Sequence, residues 1–215
     1  MKRTKRLSKG FCFRGCMGSP EEVEKLSAVE KYVLMLLYAA GGKARGKLWL
    51  HKEVFALSKA FSDLADELDF EAYSYGSFSE ALDQYRDVLE RSGLIEDLRL
   101  TDRGLELAKR LWELESDDKK EVVKGIAEFF EKLDRDELLL YTYVNYPEAS
   151  EESDVRERVV RKRKEIALKM LREGKVSVSL AAQLAGLPVE EFIEMAVKRG
   201  VKPFEVQGDL NEASR

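Results

Sequence analysis

A mainly α-helical fold with one small β-hairpin is the class this sequence predicts, and three observations predict it. Apolar residues recur at three- and four-residue spacings along most of the 215 positions, the period of a helix with one buried face. Helix-start signals (Ser27 with Glu30, Ser77 with Glu80, Thr101 before Asp102) alternate with helix-stopping glycines at 41, 93, 174 and 200. The period changes at Leu94–Thr101, where two short apolar segments flank Glu96-Asp97 and read as a hairpin.

Composition narrows the function classes. Apolar residues make up 44%, enough for a real core, and charged residues 36%, against about 25% in ordinary domains. Two Cys exclude a disulfide framework. No apolar run approaches the ~18 residues of a membrane helix, and the basic N-terminus lacks a signal peptide's apolar stretch. The expectation is a cytoplasmic chain with no membrane partner. A single His leaves little for His-based catalysis or a His-rich metal site. Three Gln and two Asn beside many Glu, Lys and Arg is a thermophile pattern.

The elements follow in order. Ser27 opens a helix to Ala40 with Val29, Val33, Leu36 and Leu37 as its stripe, and Gly41-Gly42 stops it. After a short basic connection, Leu48–Leu64 is a second helix, with Leu48, Val54, Phe55, Leu57, Phe61 and Leu64 inward. Phe70 to Ser79 is a turn dense in aromatics, and Ser77 opens a third helix to Ser92 with Phe78, Leu82, Tyr85 and Leu89 on one face. After the hairpin, Thr101 caps a fourth helix to Leu114. Ser116-Asp-Asp starts another with acids at its positive dipole end, running through Leu133, and Asp134 starts the next, which Tyr146-Pro147 ends. Residues 147–154 are polar and acidic, a domain boundary.

Three helices, a small hairpin and another helix is the order of a winged-helix unit. Gly93-Leu94-Ile95 with Leu100-Thr101-Asp102-Arg103-Gly104 resembles the recognition-helix end, wing and following helix start of winged-helix regulators. Leu48 to Phe55 with Phe70 to Ser79 is similar to the Panacea antitoxin-like domain, although Ser77 stands where Pro often follows the Gly. This likeness covers residues 26–115.

The C-terminal part carries the sharpest spacing. After a helix over Asp154–Arg172 and Gly174, Val178 to Gly200 has helix-turn-helix spacing. Ala182 allows a close helix crossing, Gly186 sits in the turn, and Leu187 plugs the gap. Pro188 suits the first position of the next helix. Phe192, Ile193 and Ala196 face inward, and Val201–Val206 suits an edge strand. Residues 160–215 resemble an uncharacterised prokaryotic antitoxin-like family: Leu171, Glu173, Gly174 and Lys175, then Ser179 to Gly186, then Glu191-Phe192. That resemblance implies PIN-domain ribonuclease toxins as partners.

The predicted organisation is a basic flexible leader at 1–20, a winged-helix domain at 21–115, a helical extension at 116–148 and a helix-turn-helix domain at 149–215. The leader holds six cations and no acid, and the remaining 31 basic and 41 acidic side chains leave a net −10. The leader is either a nucleic-acid tether or a plain tail. The candidate nucleic-acid contacts are Lys43, Arg45 and Lys47, Arg86, the wing's Arg99 and Arg103, and Arg161, Lys162, Arg163 and Lys164 of a second basic run. Against them, the two candidate recognition helices carry Glu80, Asp83, Asp87 and Glu90, and Glu190, Glu191 and Glu194. Cys12 and Cys16 fall short of the four ligands of a structural zinc unless two chains share one; a disulfide is the alternative. His51, on an apolar-periodic helix, reads as packed or capping, and Trp49 and Trp112 as core or interface. Asp69, Glu71, Tyr73 and Tyr75 can line a cleft, without nucleophile–base spacing.

The function expected is a non-enzymatic, dimeric transcriptional regulator that binds double-stranded DNA without a cofactor or metal and neutralises a toxin. The alternative is an adaptor that holds a toxin or other partner and never touches DNA.

Overall fold

The computed structural model describes residues 20–68, 79–147 and 155–201. The leader with Cys12 and Cys16, the aromatic turn with Ser77, the boundary at 148–154 and the closing strand at 202–206 lie outside the described residues. Among the described residues 73% are helical, in 12 segments, beside one two-stranded antiparallel sheet. The mainly α class with a small hairpin is therefore the fold.

The first segments are α1 (Pro20–Glu24), α2 (Ala28–Ala39), α3 (Lys47–Ser58), α4 (Ser62–Glu67) and α5 (Glu80–Arg91). Ser27 and Glu30 form the expected capping box on α2. Glu67 of α4 adds a second cap, accepting from the Ala28 and Val29 amides at 3.2 and 3.3 Å; a carboxylate suits this positive helix end. The single helix expected over Leu48–Leu64 is two. Phe61 adopts an extended conformation between them, which lets its ring pack 5.1 Å from that of Tyr32. The described cap of α5 is Ser79, whose hydroxyl accepts from the Leu82 amide.

The hairpin pairs β1 (Ile95–Glu96) with β2 (Arg99–Leu100). Its turn residues Asp97 and Leu98 both have positive φ, 46° and 59°, the two-residue turn that matches strand twist. Residues 42–44 add a third line on the other side of β2: Leu100 donates to the Gly42 carbonyl, Ala44 to that of Leu98, and Lys43 bridges Arg99. Helix α6 (Asp102–Leu114) starts at the foot of the hairpin. The Thr101 hydroxyl donates to the Gly93 carbonyl at 2.7 Å and accepts from the Gly104 amide at 3.0 Å.

The remaining helices are α7 (Asp117–Glu131), α8 (Arg135–Asn145), α9 (Arg156–Arg161), α10 (Arg163–Arg172), α11 (Val178–Ala185) and α12 (Val189–Lys198). The helix expected over Asp154–Arg172 breaks at Lys162, with φ −95° and ψ 3°. Arg163, the first residue after the break, reaches the carbonyls at the end of α11. Gly186, left-handed at φ +66°, ends α11. Pro188 caps α12 one position earlier than expected. Phe192 and Ala196 are buried, whereas Ile193 is only half-buried.

Two apolar cores result. The first surrounds α2, whose Tyr32 to Leu37 are all buried, with α4, α5, the hairpin and α6 around it. The second gathers α8, α10, α11 and α12. The predicted extension at 116–148 therefore divides: α7 sends Val123 and Ala127 into the first core and Phe130 into the second, while α8 belongs to the second. Helix α3 sits between them. Leu50, Val54 and Leu57 enter the first core, and Ala56 with Leu48 and Trp49 enters the second. Every residue from Leu50 to Ser58 is buried.

Gly104 is fixed by close approach. A methyl there would lie 1.8 Å from the Leu94 carbonyl oxygen, which is backbone and cannot swing aside. Gly104→Ala is therefore expected to destabilise the protein by about 3 kcal/mol through overpacking, read as a lowered urea midpoint.

Candidate nucleic-acid and partner interface

The structure separates the ten candidate cations into those with internal work and those without. Arg45, just before α3, donates through Nη1 to the Glu131 and Leu133 carbonyls at 2.8 and 2.7 Å. Its guanidinium also lies 4.8 Å over the Trp49 ring. It thus closes the C-terminal end of α7, where carbonyls lack helical partners. Arg163 does the same for α11, donating to the Leu184 and Gln183 carbonyls at 2.8 and 3.1 Å. Arg103 donates to the Ser92 carbonyl and pairs with Glu22 of α1.

Lys47 and Arg86 meet on Asp83. The Lys47 ammonium is 2.7 Å from one Asp83 oxygen, and Arg86 is 3.3 Å from the other. Arg86 also reaches Asp87 at 3.0 Å and Glu90 at 3.8 Å. His51 of α3 approaches Asp83 at 3.5 Å. Asp83 thus joins α3 to α5, and the charge of Arg86 is spent on its own helix.

The other five, Lys43, Arg99, Arg161, Lys162 and Lys164, are exposed and have no ion-pair partner among the described residues. Lys43 and Arg99 are brought together as partners in one antiparallel bridge, which places both side chains on one face of the small sheet. Arg161, Lys162 and Lys164 cluster at the break between α9 and α10.

The outward face of α5 is acidic: Glu80, Asp87 and Glu90 are exposed beside Gln84, Val88 and Arg91. The exposed positions of α12 are Val189, Glu190, Glu191, Glu194, Val197 and Lys198. Beside α12 lies a depression of about 400 Å³, with Lys164, Leu187, Glu191 and Met195 among its lining residues.

Three consecutive ionisable side chains of α3 are buried. Desolvation lowers His51 to about 4 despite the opposing pull of Asp83. Desolvation also lowers Lys52 to about 7. Glu53 rises to about 8, first by desolvation and then by the nearby Glu131. Burial disfavours each charged form, so His51 is neutral and Glu53 is largely protonated near pH 7.

Sequence spacing missed a second ionic cluster. Glu137 of α8 is fully buried and completes a capping box with Asp134. Its carboxylate is 3.0 Å from Lys169 and 2.7 Å from Lys175, and Lys175 also holds Glu173 at 2.7 Å. The Leu171 to Lys175 run that carries the C-terminal resemblance thus supplies Glu173 and Lys175 to this cluster. Only the Lys169/Glu173 spacing was visible locally. Among the described residues no group of three or more His, Cys, Asp or Glu is placed to hold a metal ion, and no helix is long and apolar enough to cross a membrane. No family model matches the chain, and no curated protein or solved structure is significantly similar to it.

Two expectations follow. Arg45→Ala should cost about 1–3 kcal/mol in urea unfolding, because the Glu131 carbonyl loses its side-chain donor and Leu133 keeps only that of Trp49. It should leave the salt dependence of any DNA retardation unchanged. Glu53→Gln should stabilise the protein, more so at higher pH. The native carboxyl keeps its proton up to about 8, whereas an unfolded one loses it near 4.5. The stability associated with the proton is therefore complete below pH ~4.5 and is lost as pH rises toward 8. The gap between variant and parent should widen by about 3 kcal/mol from pH 5 to pH 8, measured by urea unfolding across that range.

Proposed function

We propose that this chain is a non-enzymatic, antitoxin-like adaptor that holds a basic protein partner on the outward face of α5. One observation carries the reading. The helix that would enter a DNA groove exposes Glu80, Asp87 and Glu90, and Arg86 beside them is already paired with acids. Phosphates would be repelled there, whereas a cationic protein surface gains complementarity. The order of α2, residues 42–44, α3, α5, β1, β2 and α6 supports the winged-helix likeness. The turn between α11 and α12 supports the helix-turn-helix one. The resemblance of residues 160–215 implies a PIN-domain ribonuclease as the partner. A nuclease handles an anionic substrate and presents cations to it, so an acidic helix is a chemically apt cover.

A second reading, the DNA-binding regulator, is favoured by the five unpaired cations. Lys43 and Arg99 on the sheet, with Arg161, Lys162 and Lys164, can meet phosphates even where neither helix reads bases.

Titration calorimetry with a PIN-domain ribonuclease and gel retardation on upstream DNA separate the two. The adaptor reading expects binding that weakens with salt and falls at least about tenfold in Asp87→Lys/Glu90→Lys. It also expects no retardation of duplex at about 50 mM salt, where even non-specific binding is strong. Retardation lost in Arg161→Ala/Lys162→Ala/Lys164→Ala, with no complex by calorimetry, would select the regulator instead.

A further inference from the structure

Helix α12 leaves an apolar row uncovered. Val189, Ile193 and Val197 stand at i, i+4 and i+8; Val189 is 38% exposed and Val197 58%. The row lies on the flank of the helix beside its buried positions, Phe192 and Ala196. Glu190, Glu194 and Lys198 form a second row next to it, in which Lys198 reaches Glu194 at 3.7 Å.

We propose that α12 packs antiparallel against the α12 of a second copy of this chain, about a two-fold axis at Ile193. Both rows are self-complementary under that operation. Reversing the helix sets Val189 against the second copy's Val197 and Ile193 against its own equivalent, a continuous apolar seam. The same reversal puts Glu190 opposite the second copy's Lys198, twice. A parallel two-fold pair would place the two charged rows on opposite sides of the seam, so only the antiparallel sense brings Glu190 to the second copy's Lys198. The Glu194 carboxylates that meet near the axis each keep their own Lys198. A foreign cationic surface suits Glu190 and Glu194 but meets Lys198 and Arg199 at the end of the helix; a second copy answers both signs. One helix pair is a small interface, so the association is weak and concentration-dependent. This surface is separate from the α5 face, and the inference stands without the proposal made for that face.

Sedimentation equilibrium of the full chain from about 1 to about 200 μM tests it. The expected result is a reversible monomer–dimer equilibrium. Val197→Asp, at an exposed position whose helix signal and melting should stay unchanged, is expected to weaken it at least about thirtyfold. Glu190→Lys alone and Lys198→Glu alone each weaken it about tenfold. The double swap Glu190→Lys/Lys198→Glu binds more tightly than either single change, because the cross-copy pairs reform with signs exchanged, but stays weaker than the parent because Glu194 loses its own Lys198. A monomer at every concentration overturns the proposal, whatever else then covers the row. So does a dimer indifferent to Val197→Asp, or a double swap no better than its single changes.

Discussion

Burial of α3 from Leu50 to Ser58 is the constraint on which much of the molecule depends. Both cores pack against it, and the sequence places His51, Lys52 and Glu53 in its middle. Keeping three charges there would cost far more than apolar burial returns. The helix is tolerated because burial shifts all three toward their neutral forms. The start of the same helix then organises its surroundings. Arg45 and Trp49 at its start close α7, and Lys47 and His51 reach Asp83 to fix α5.

Electrostatics is used mainly to hold this protein together. Arg45 and Arg163 act as caps for helices distant in sequence, and Glu67 serves α2 in the same way. Hydrogen bonds from a charged group to helix ends are worth about 1.5–3 kcal/mol each, more than an exposed ion pair. Cation-rich stretches of the sequence therefore include side chains already committed to contacts within the protein.

Local chemistry was legible in the sequence. The Ser27 capping box, the helix start at Asp134, Thr101 as a cap, the hairpin at 94–101 and Gly186 in a turn all follow from residue types and spacings of a few positions. What spacing could not show were partners far apart along the chain. Arg45 finds carbonyls more than eighty residues away, and Glu137 finds Lys175 at a separation of 38. At the first break Phe61 leaves the helical path and packs on Tyr32; at the second Lys162 leaves it, and Arg163, the first residue of α10, reaches the end of α11. Helical periodicity continues through each break, so pattern alone joined them. Gly104 belongs to a local sequence motif, but its reason, the Leu94 carbonyl, lies across the hairpin.

The hairpin turns on two residues, Asp97 and Leu98, and its strands are two residues each. At about 3.3 Å per residue such a projection stands less than 10 Å from the body. It has no length with which to curl around a rod-shaped molecule or to follow a groove past the point of first touch.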